Sequence, residues 1–359
     1  MKNCIIPALI LVFACCAVRA RAQRAPSDGS SENDAGVKLR SPAAGSGAGV
    51  VVRDAEQGEV PRSVTIRASL SYDVMSLDLR DRKFSERTTR YMRDRELYAG
   101  IGVFYYGFGV DARLGALDTQ NQNNKKLECY DLRAGYFSRA FGAEIYYSRF
   151  GRLRITSSPA GVGKLWNDSN SGSRIWSEQA GMNLILFVKD LSSLNKDFSY
   201  NAAFFQSEGV VKTGGTVLVL LSGDYERVHS SVPLIPAYAH DLFLYMDVYG
   251  MSGWRFAGFG FGVGFAGTLA LPRGFFVSAL ISLMVRPLQK EFYTLRHAKR
   301  EFRIDALKGR GRVYAGYNGA SFFAGISLDV KAFLTPCYRF KLEMWSGDLS
   351  ASFFSGVRI

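Results

Sequence analysis

The chain has 359 residues, 47% of them hydrophobic and 13% aromatic, and a formal net charge of +13. No run of about 20 apolar residues follows residue 22, so helical membrane spans are excluded. Basic residues alternate with acids, as in Arg80-Asp81-Arg82-Lys83 and Arg93-Asp94-Arg95-Glu96, which argues against a nucleic-acid surface and for solvated loops and a lumen open to anionic solutes or lipopolysaccharide phosphates.

Residues 1–22 read as a secretory signal. Lys2 opens it, Ile5 to Val18 is a short apolar run, and Ala20-Arg21-Ala22 is a small-x-small cleavage site before Gln23. A lipoprotein signal is the rival reading, because Val12-Phe13-Ala14 precedes Cys15, which could then carry lipid. Removing residues 1–22 takes away Lys2, Arg19 and Arg21 and no acid, leaving +10. Cys4, Cys15 and Cys16 leave with the signal. Cys129 and Cys337 remain, either as one disulfide or as two unrelated thiols. Residues 23–61 are rich in Ser, Gly, Ala and Pro, a polar leader with too few large apolar groups to offset its ordering entropy.

From residue 62 to 359 the pattern is period two. In Val64 to Val74 the even positions Val64, Ile66, Ala68, Leu70, Tyr72 and Val74 are mostly apolar, and the odd ones carry Thr65, Arg67, Ser69, Ser71 and Asp73. This places apolar groups on one sheet face and polar groups on the other. Arg80 to Glu96 reads as an exposed loop. Leu97 to Tyr106 and Phe108 to Ala116 follow as a hairpin near Gly107, then a polar loop at 118–126. Leu127 to Ser138 and Ala143 to Ile155 form a second hairpin before a long loop at 157–174. Ser177 to Val188, Phe198 to Ser207 and Thr216 to Tyr225 are less regular strands, and 228–240 is irregular.

Phe256 to Leu271 sets Phe259, Phe261, Val263, Phe265, Leu269 and Leu271 against Gly258, Gly260, Gly262 and Gly264, a strand ended by Pro272-Arg273-Gly274. Phe275 to Arg286 returns from it, and 287–309 reads as an exposed loop. Phe322 to Leu334, Tyr338 to Trp345 and Leu349 to Ile359 complete the series, the last resembling the terminal strand read by the outer-membrane insertion machinery, with Ile359 where Phe is usual.

These strands predict an all-β fold: an antiparallel transmembrane β-barrel of about 12–14 strands at about 10 residues each plus connections. A closed sheet leaves no backbone group unpaired in lipid. Counting Asp241 to Tyr249 as a strand makes the number odd, which a barrel with both termini on one side does not allow. A soluble sandwich would show similar alternation; the signal and the Gly and aromatic load (37 Gly, 26 Phe, 18 Tyr, 4 Trp) favour the barrel. The polar face yields a lumen charge network, the candidate solute path: Arg67, Asp73, Asp111, Arg113, Glu144, Asp329, Lys331, Arg339, Lys341 and Glu343.

The segment from Asn195 to Gly215 is distinctive: Asn195, Phe198, Ser199, Tyr200, Ala202, Ala203, Phe204 and Gln206 fit an N-x-x-FSY-x-AAF-x-Q strand, followed by Lys212 and Gly214. With the approach Ser171 to Val188 and the hairpin Leu97 to Leu114, it resembles an uncharacterised family of bacterial outer-membrane barrels, domain of unknown function 4421, over about residues 65–330. Where that family has a Gly-Ser step, Gly215-Thr216 stands here. The resemblance implies location and fold and brings no reaction. A purely structural motif would pack Phe198, Tyr200 and Phe204 and pair Gln206 with Lys212 in the lumen.

Chemistry is sparse. His229-Ser230-Ser231 is the one His–Ser neighbourhood, and adjacent strand residues face opposite ways, so a nucleophile–base pair is not expected. His229, His240 and His297 form no ligand cluster, and neither a metal nor a cofactor is expected. The sequence therefore points to a non-enzymatic, integral outer-membrane barrel in contact with outer-membrane lipid and lipopolysaccharide. It would be a passive pore or small-solute transporter or, alternatively, a structural or adhesion barrel with a plugged lumen and partner-binding loops at 80–96, 157–174 and 287–309.

Overall fold

The computed structural model describes residues 63–81, 88–93, 96–116, 129–151, 153–157, 175–188, 198–209, 212–234, 251–294, 298–337 and 342–359. The signal and leader expected over 1–61 lie outside these residues, as does the strand considered at 241–249. Fourteen strands run in chain order: β1 (Val64–Asp81), β2 (Thr88–Arg93), β3 (Glu96–Tyr105), β4 (Phe108–Ala116), β5 (Tyr130–Phe137), β6 (Phe141–Phe150), β7 (Leu153–Ser157), β8 (Ile175–Val188), β9 (Gly214–Ser230), β10 (Met251–Ala270), β11 (Phe275–Thr294), β12 (Ala298–Asn318), β13 (Phe322–Cys337) and β14 (Leu342–Arg358). Every neighbour pair is antiparallel, and β14 pairs with β1 from Thr65↔Arg358 to Asp81↔Leu342, which closes the sheet.

The wall of the barrel has twelve staves. β2 and β3 pair in succession with the upper and lower parts of β1, so they are two stretches of one path, and β7 follows β6 along the chain after residues 151–152 and pairs with β2. Above the short hairpin β4–β5, β2 pairs directly with β7 from Arg93↔Leu153. Tight turns join the strands at one end. In the turn between β3 and β4, Tyr106 and Gly107 have φ of 50° and 83°, the positive pair that a two-residue hairpin needs. A Cβ on Gly107 would come within 2.7 Å of the Phe137 carbonyl oxygen.

The strands are longer than a bilayer demands. A crossing takes about 9–11 residues, whereas β10 and β11 have 20 and β12 has 21. The surplus is accompanied by an inversion of the two faces. In the lower part of β1 the outward groups are Ile66, Leu70 and Tyr72, all exposed, and the inward ones are Thr65, Arg67, Ser71 and Asp73. From Met75 upward the phase flips: Met75, Leu77 and Leu79 are buried inward, while Ser76, Asp78 and Arg80 face outward, Asp78 paired with Arg90 of β2 at 2.6 Å. β10 does the same. Phe259, Phe261 and Val263 are 78, 59 and 63% exposed, yet Phe256 and Trp254 higher up are buried within. Below the switch the barrel stands in hydrocarbon. Above it, the same sheet behaves as a water-soluble protein with an apolar interior.

The fold class follows the expected barrel, with four departures. The loop expected at 287–309 is the outer half of β11 and β12, and β12 as a whole is absent from the expected strands. The loop expected at 80–96 contains the end of β1 and all of β2. Tyr338 to Trp345 and Leu349 to Ile359 are expected as two strands, but residues 342–358 form the single strand β14, with Met344 inward. Phe198 to Ser207 is not a strand: Asn201–Phe205 is one π-helical turn, closed by Gln206 at φ 52°.

The inversion predicts opposite tolerance to the same charge at two heights. Phe261→Arg is expected to destabilise the barrel by about 2–4 kcal/mol, the cost of arginine near the bilayer midplane. Ser76→Arg, above the switch, is expected to stay within about 0.5 kcal/mol of the parent. Urea titration of folding into lipid vesicles reads both. Equal costs would show that the outward face of β1 does not leave the membrane at Met75.

Candidate functional site

The lumen is layered along its axis. The floor, at the tight-turn end, is built by the connection between β8 and β9, which folds inward as the π-helical turn Asn201–Phe205. Tyr200, Ala203 and Phe204 are at most 4% exposed. Tyr200 stacks on Phe137 of β5 with centroids 4.9 Å apart, Phe205 lies 5.1 Å from Phe104 of β3, and Phe204 meets Tyr314 of β12 edge-on at 5.4 Å. Alternation supplies the wall half of this contact, because Phe104, Phe137 and Tyr314 all fall on inward positions.

Polar ties hold the floor to the wall. Asn201 Nδ2 donates to the Phe137 carbonyl at 2.9 Å, Asn318 Nδ2 to Glu208 O at 3.1 Å, and Arg67 Nη1 to Phe204 O at 3.5 Å. Arg358 makes the densest set. Its Nε donates to Gln206 O at 2.8 Å, its Nη2 to the same oxygen and to Asn318 Oδ1, and its Nη1 to the carbonyls of Gly319 and Ala320. An arginine fork suits this role because it presents five rigidly placed donors to converging acceptors.

Above the floor lies an ionic layer. Arg67 pairs with Asp111 at 2.5 Å. Asp131, buried, accepts from Arg113, from Arg133 at 2.9 Å and from Ser148 Oγ at 2.9 Å. Asp73 lies 3.9 Å from Arg113. Asp329 takes Arg312 Nε at 2.8 Å and Arg310 at 3.1 Å, and Arg310 also lies 3.8 Å from Glu144. A second knot centres on Asp224, with Arg286 at 2.9 Å, Lys308 at 3.1 Å and the Tyr146 hydroxyl donating to it. Gly260 gives Arg286 its room, since a Cβ there would come 2.8 Å from Arg286 Cγ. A cavity of about 90 Å³ remains between these groups, with Phe205 and Asn201 at its base. That is space for several water molecules. Six cations line it (Arg67, Arg93, Arg113, Arg133, Arg312 and Lys331) against six carboxylates (Asp73, Asp111, Asp131, Glu144, Asp329 and Asp348). The chamber therefore favours neither sign of charge.

The third layer is apolar. Met75, Leu77, Phe150, Val228, Trp254 and Met344 form one cluster with Leu234, which follows β9 and turns inward; the Tyr91 hydroxyl of β2 donates to the Leu234 carbonyl. Among the described residues, the ionic chamber thus lies between an apolar layer above and the aromatic floor below, and its lining reaches Gly107 and Phe108 beside that floor.

Of the residues expected in the lumen, Arg67, Asp73, Asp111, Arg113, Glu144, Asp329 and Lys331 line this cavity. Arg339 and Lys341 lie outside the described residues. Glu343 is a correction: it falls on the outward face of β14, where the Trp345 indole donates to it at 3.4 Å. Asp131, Arg133, Asp224, Arg286, Arg310 and Arg312 are further lumen groups, absent from those expected. Arg310 and Arg312 alternate with Gly311 and Val313, a signal hidden by the charge density of β12. Gln206 is fully buried and its amide donates to Ala203 O, whereas Lys212 is exposed, so the two are not the expected lumen pair. His229 stands outward beside Trp176 and Ser230 is buried inward, so they form no nucleophile–base pair. Cys129 is buried, and its sulfur accepts from the Gly151 N–H at 3.4 Å; the Cys337 side chain lies outside the described ones.

The chain belongs to the family described as Domain of unknown function (DUF4421), whose model matches residues 59–354. No curated protein sequence matches it. Among solved structures, the outer membrane protease OmpT from Escherichia coli is similar at 6% identity, covering 83% of this chain and 97% of its own, with a TM-score of 0.37. The Pseudomonas putida toluene transporter TodX is similar at 7% identity, covering 83% and 90%, with a TM-score of 0.30. An outer membrane channel from Pseudomonas putida F1 gives 10%, 84% and 97%, also at 0.30. Superpositions of that closeness carry no functional argument.

The ionic layer predicts a large penalty for halving a pair. Asp131→Asn leaves Arg113 and Arg133 facing each other in a buried site and is expected to cost about 3–5 kcal/mol. The measured outcome is a lower temperature for conversion of the compact gel band to the unfolded one. Adding Arg133→Met is expected to recover part of the loss. No recovery would show that the two arginines do not share Asp131.

Proposed function

We propose that this DUF4421 protein is an integral outer-membrane β-barrel, closed at rest, that passes a small polar solute when segment 198–207 leaves the floor of the lumen. One observation carries the reading: the floor is made by a connection between strands and not by the wall itself, and it lies directly beneath a polar chamber. Its polar ties are hydrogen bonds to backbone carbonyls, from Arg67, Asn318 and Arg358 of the wall and from Asn201 of the segment itself, which water can replace. The outward apolar belt and the tight turns at one end support membrane insertion with the turn end inside the cell envelope. The expected export signal ending at Ala22, and use of β14 by the barrel-insertion machinery, belong to the same proposal.

A second reading is a plugged structural or adhesion barrel. The balanced charges around the cavity and the apolar upper layer favour it, because both resemble the interior of a protein built to stay shut. Its binding loops would be shorter than the sequence indicated, since much of 80–96 and 287–309 is strand.

Single-channel recording in planar bilayers separates the two. The parent protein is expected to conduct rarely. Arg358→Ala combined with Asn318→Ala, which removes most of the polar ties at Gln206 and Glu208, is expected to raise the open fraction about tenfold or more, the effect of losing roughly 1.4 kcal/mol or more of closure at charge-assisted bonds. A variant that keeps heat-modifiable migration and stays silent rejects transport and leaves the plugged barrel.

A further inference from the structure

The outward face holds a cationic cluster that the lumen reading does not use. Antiparallel register stacks it in horizontal rows across β6, β8, β9 and β10. Ile145, Met182, Gly223 and Phe259 form a row in the apolar belt, with Ile145, Met182 and Phe259 57, 56 and 78% exposed. One step up are Tyr147, Ala180, Tyr225 and Ala257, and the next row is Arg149, Glu178, Arg227 and Arg255. Trp176 and His229 stand above, paired across β8 and β9. The charges therefore sit where lipid-facing side chains give way to polar ones, the level of lipid headgroups.

The cluster is organised around one ring. The guanidinium carbons of Arg149 and Arg227 lie 5.1 and 5.2 Å from the Trp176 ring centroid, and His229 lies 5.3 Å from it. Glu178 lies 3.9 Å from Arg149 and also accepts from the Tyr147 hydroxyl. Arg227 is directly opposite Arg255 across β9 and β10, an arrangement of like charges that costs stability in a sheet unless an anion lies between them. Arg255 pairs with Glu291, but Arg227 has no carboxylate within ion-pair distance among the described residues. Below the cluster, Ala180 and Gly223 are small outward residues on adjacent strands, flanked by Tyr147, Tyr225, Met182 and Phe259; a Cβ on Gly223 would meet only the Phe259 ring, at 3.9 Å.

We propose that Arg149, Trp176 and Arg227 bind a phosphate of an outer-leaflet glycolipid, whose acyl chain runs past Ala180 and Gly223 into the bilayer. Forked guanidinium donors match phosphate oxygens, and the indole holds the two cations at a fixed spacing. The site rests on the outer-membrane reading and its orientation, and it is independent of whether the lumen opens.

Native mass spectrometry of the full-length protein, purified in detergent and titrated with bisphosphorylated lipid A, tests it. The parent is expected to retain lipid A about tenfold or more better than Arg149→Gln/Arg227→Gln, as expected for losing charged hydrogen bonds to phosphate. Retention is expected to fall similarly when the phosphates are removed enzymatically from lipid A. Equal retention by parent and double variant overturns the site, and so does equal retention of phosphatidylglycerol, which would show only generic attraction of anions. Both substitutions face outward, and heat-modifiable migration checks that the variant is folded. A parent that inserts into vesicles yet retains no lipid A removes the site alone. A parent that fails to insert removes the membrane reading as well.

Discussion

Everything in this molecule depends on the hydrogen-bonded seam between β1 and β14. An open sheet edge in hydrocarbon would leave a row of N–H and C=O groups without partners, each costing several kcal/mol or so. The seam removes that edge by pairing Thr65 through Asp81 with Arg358 through Leu342. Once the sheet is closed, period-two alternation becomes a statement about inside and outside. Arg67, Asp111 and Asp131 then have no choice but to meet one another in the bore, and their mutual neutralisation follows from closure.

The second constraint is that one sheet serves two solvents. Where lipid surrounds it, the strand alternates apolar-out and polar-in; where water surrounds it, the order reverses at Met75 on β1 and near Phe256 on β10. The lumen consequently contains an ionic layer at membrane height and a conventional apolar core above it. The aromatic floor completes the stack, and it is the family motif that provides it. Tyr200, Phe204 and Phe205 carry little information as a strand pattern but make sense as a plug that fills an aromatic-lined end.

Much of this architecture was legible in the residues. The alternation in Val64 to Val74 and Phe256 to Leu271 is regular enough to assign strands and faces, and seven expected lumen charges do line the cavity. What was hidden has physical causes. A strand that changes solvent midway loses its phase, so the upper ends of β1 and β2 look like a charged loop. β12 carries Lys299, Arg300, Glu301 and Arg303 on a stretch that leaves the apolar belt, so local composition imitates a connection. FSYNAAFF has strand-like residues, so its sequence imitates a strand where the chain forms a π-helical turn. Only its aromatic partners on β3, β5 and β12, over 60 residues away in either direction, decide its shape. The outward cluster at Trp176 was equally invisible, since it joins residues from three strands through register alone.

The ties of Arg358 to the floor carry a consequence for closure. That residue closes the last strand and also grips Gln206 and the Gly319–Ala320 turn. The segment keeps these ties only while the final stave is docked against the first, because Arg358 lies on β14 at the seam with Thr65 of β1. Seam and filling are therefore coupled: a single guanidinium on the closing strand fastens what is inside the cylinder, so loosening either end of that tie loosens the other.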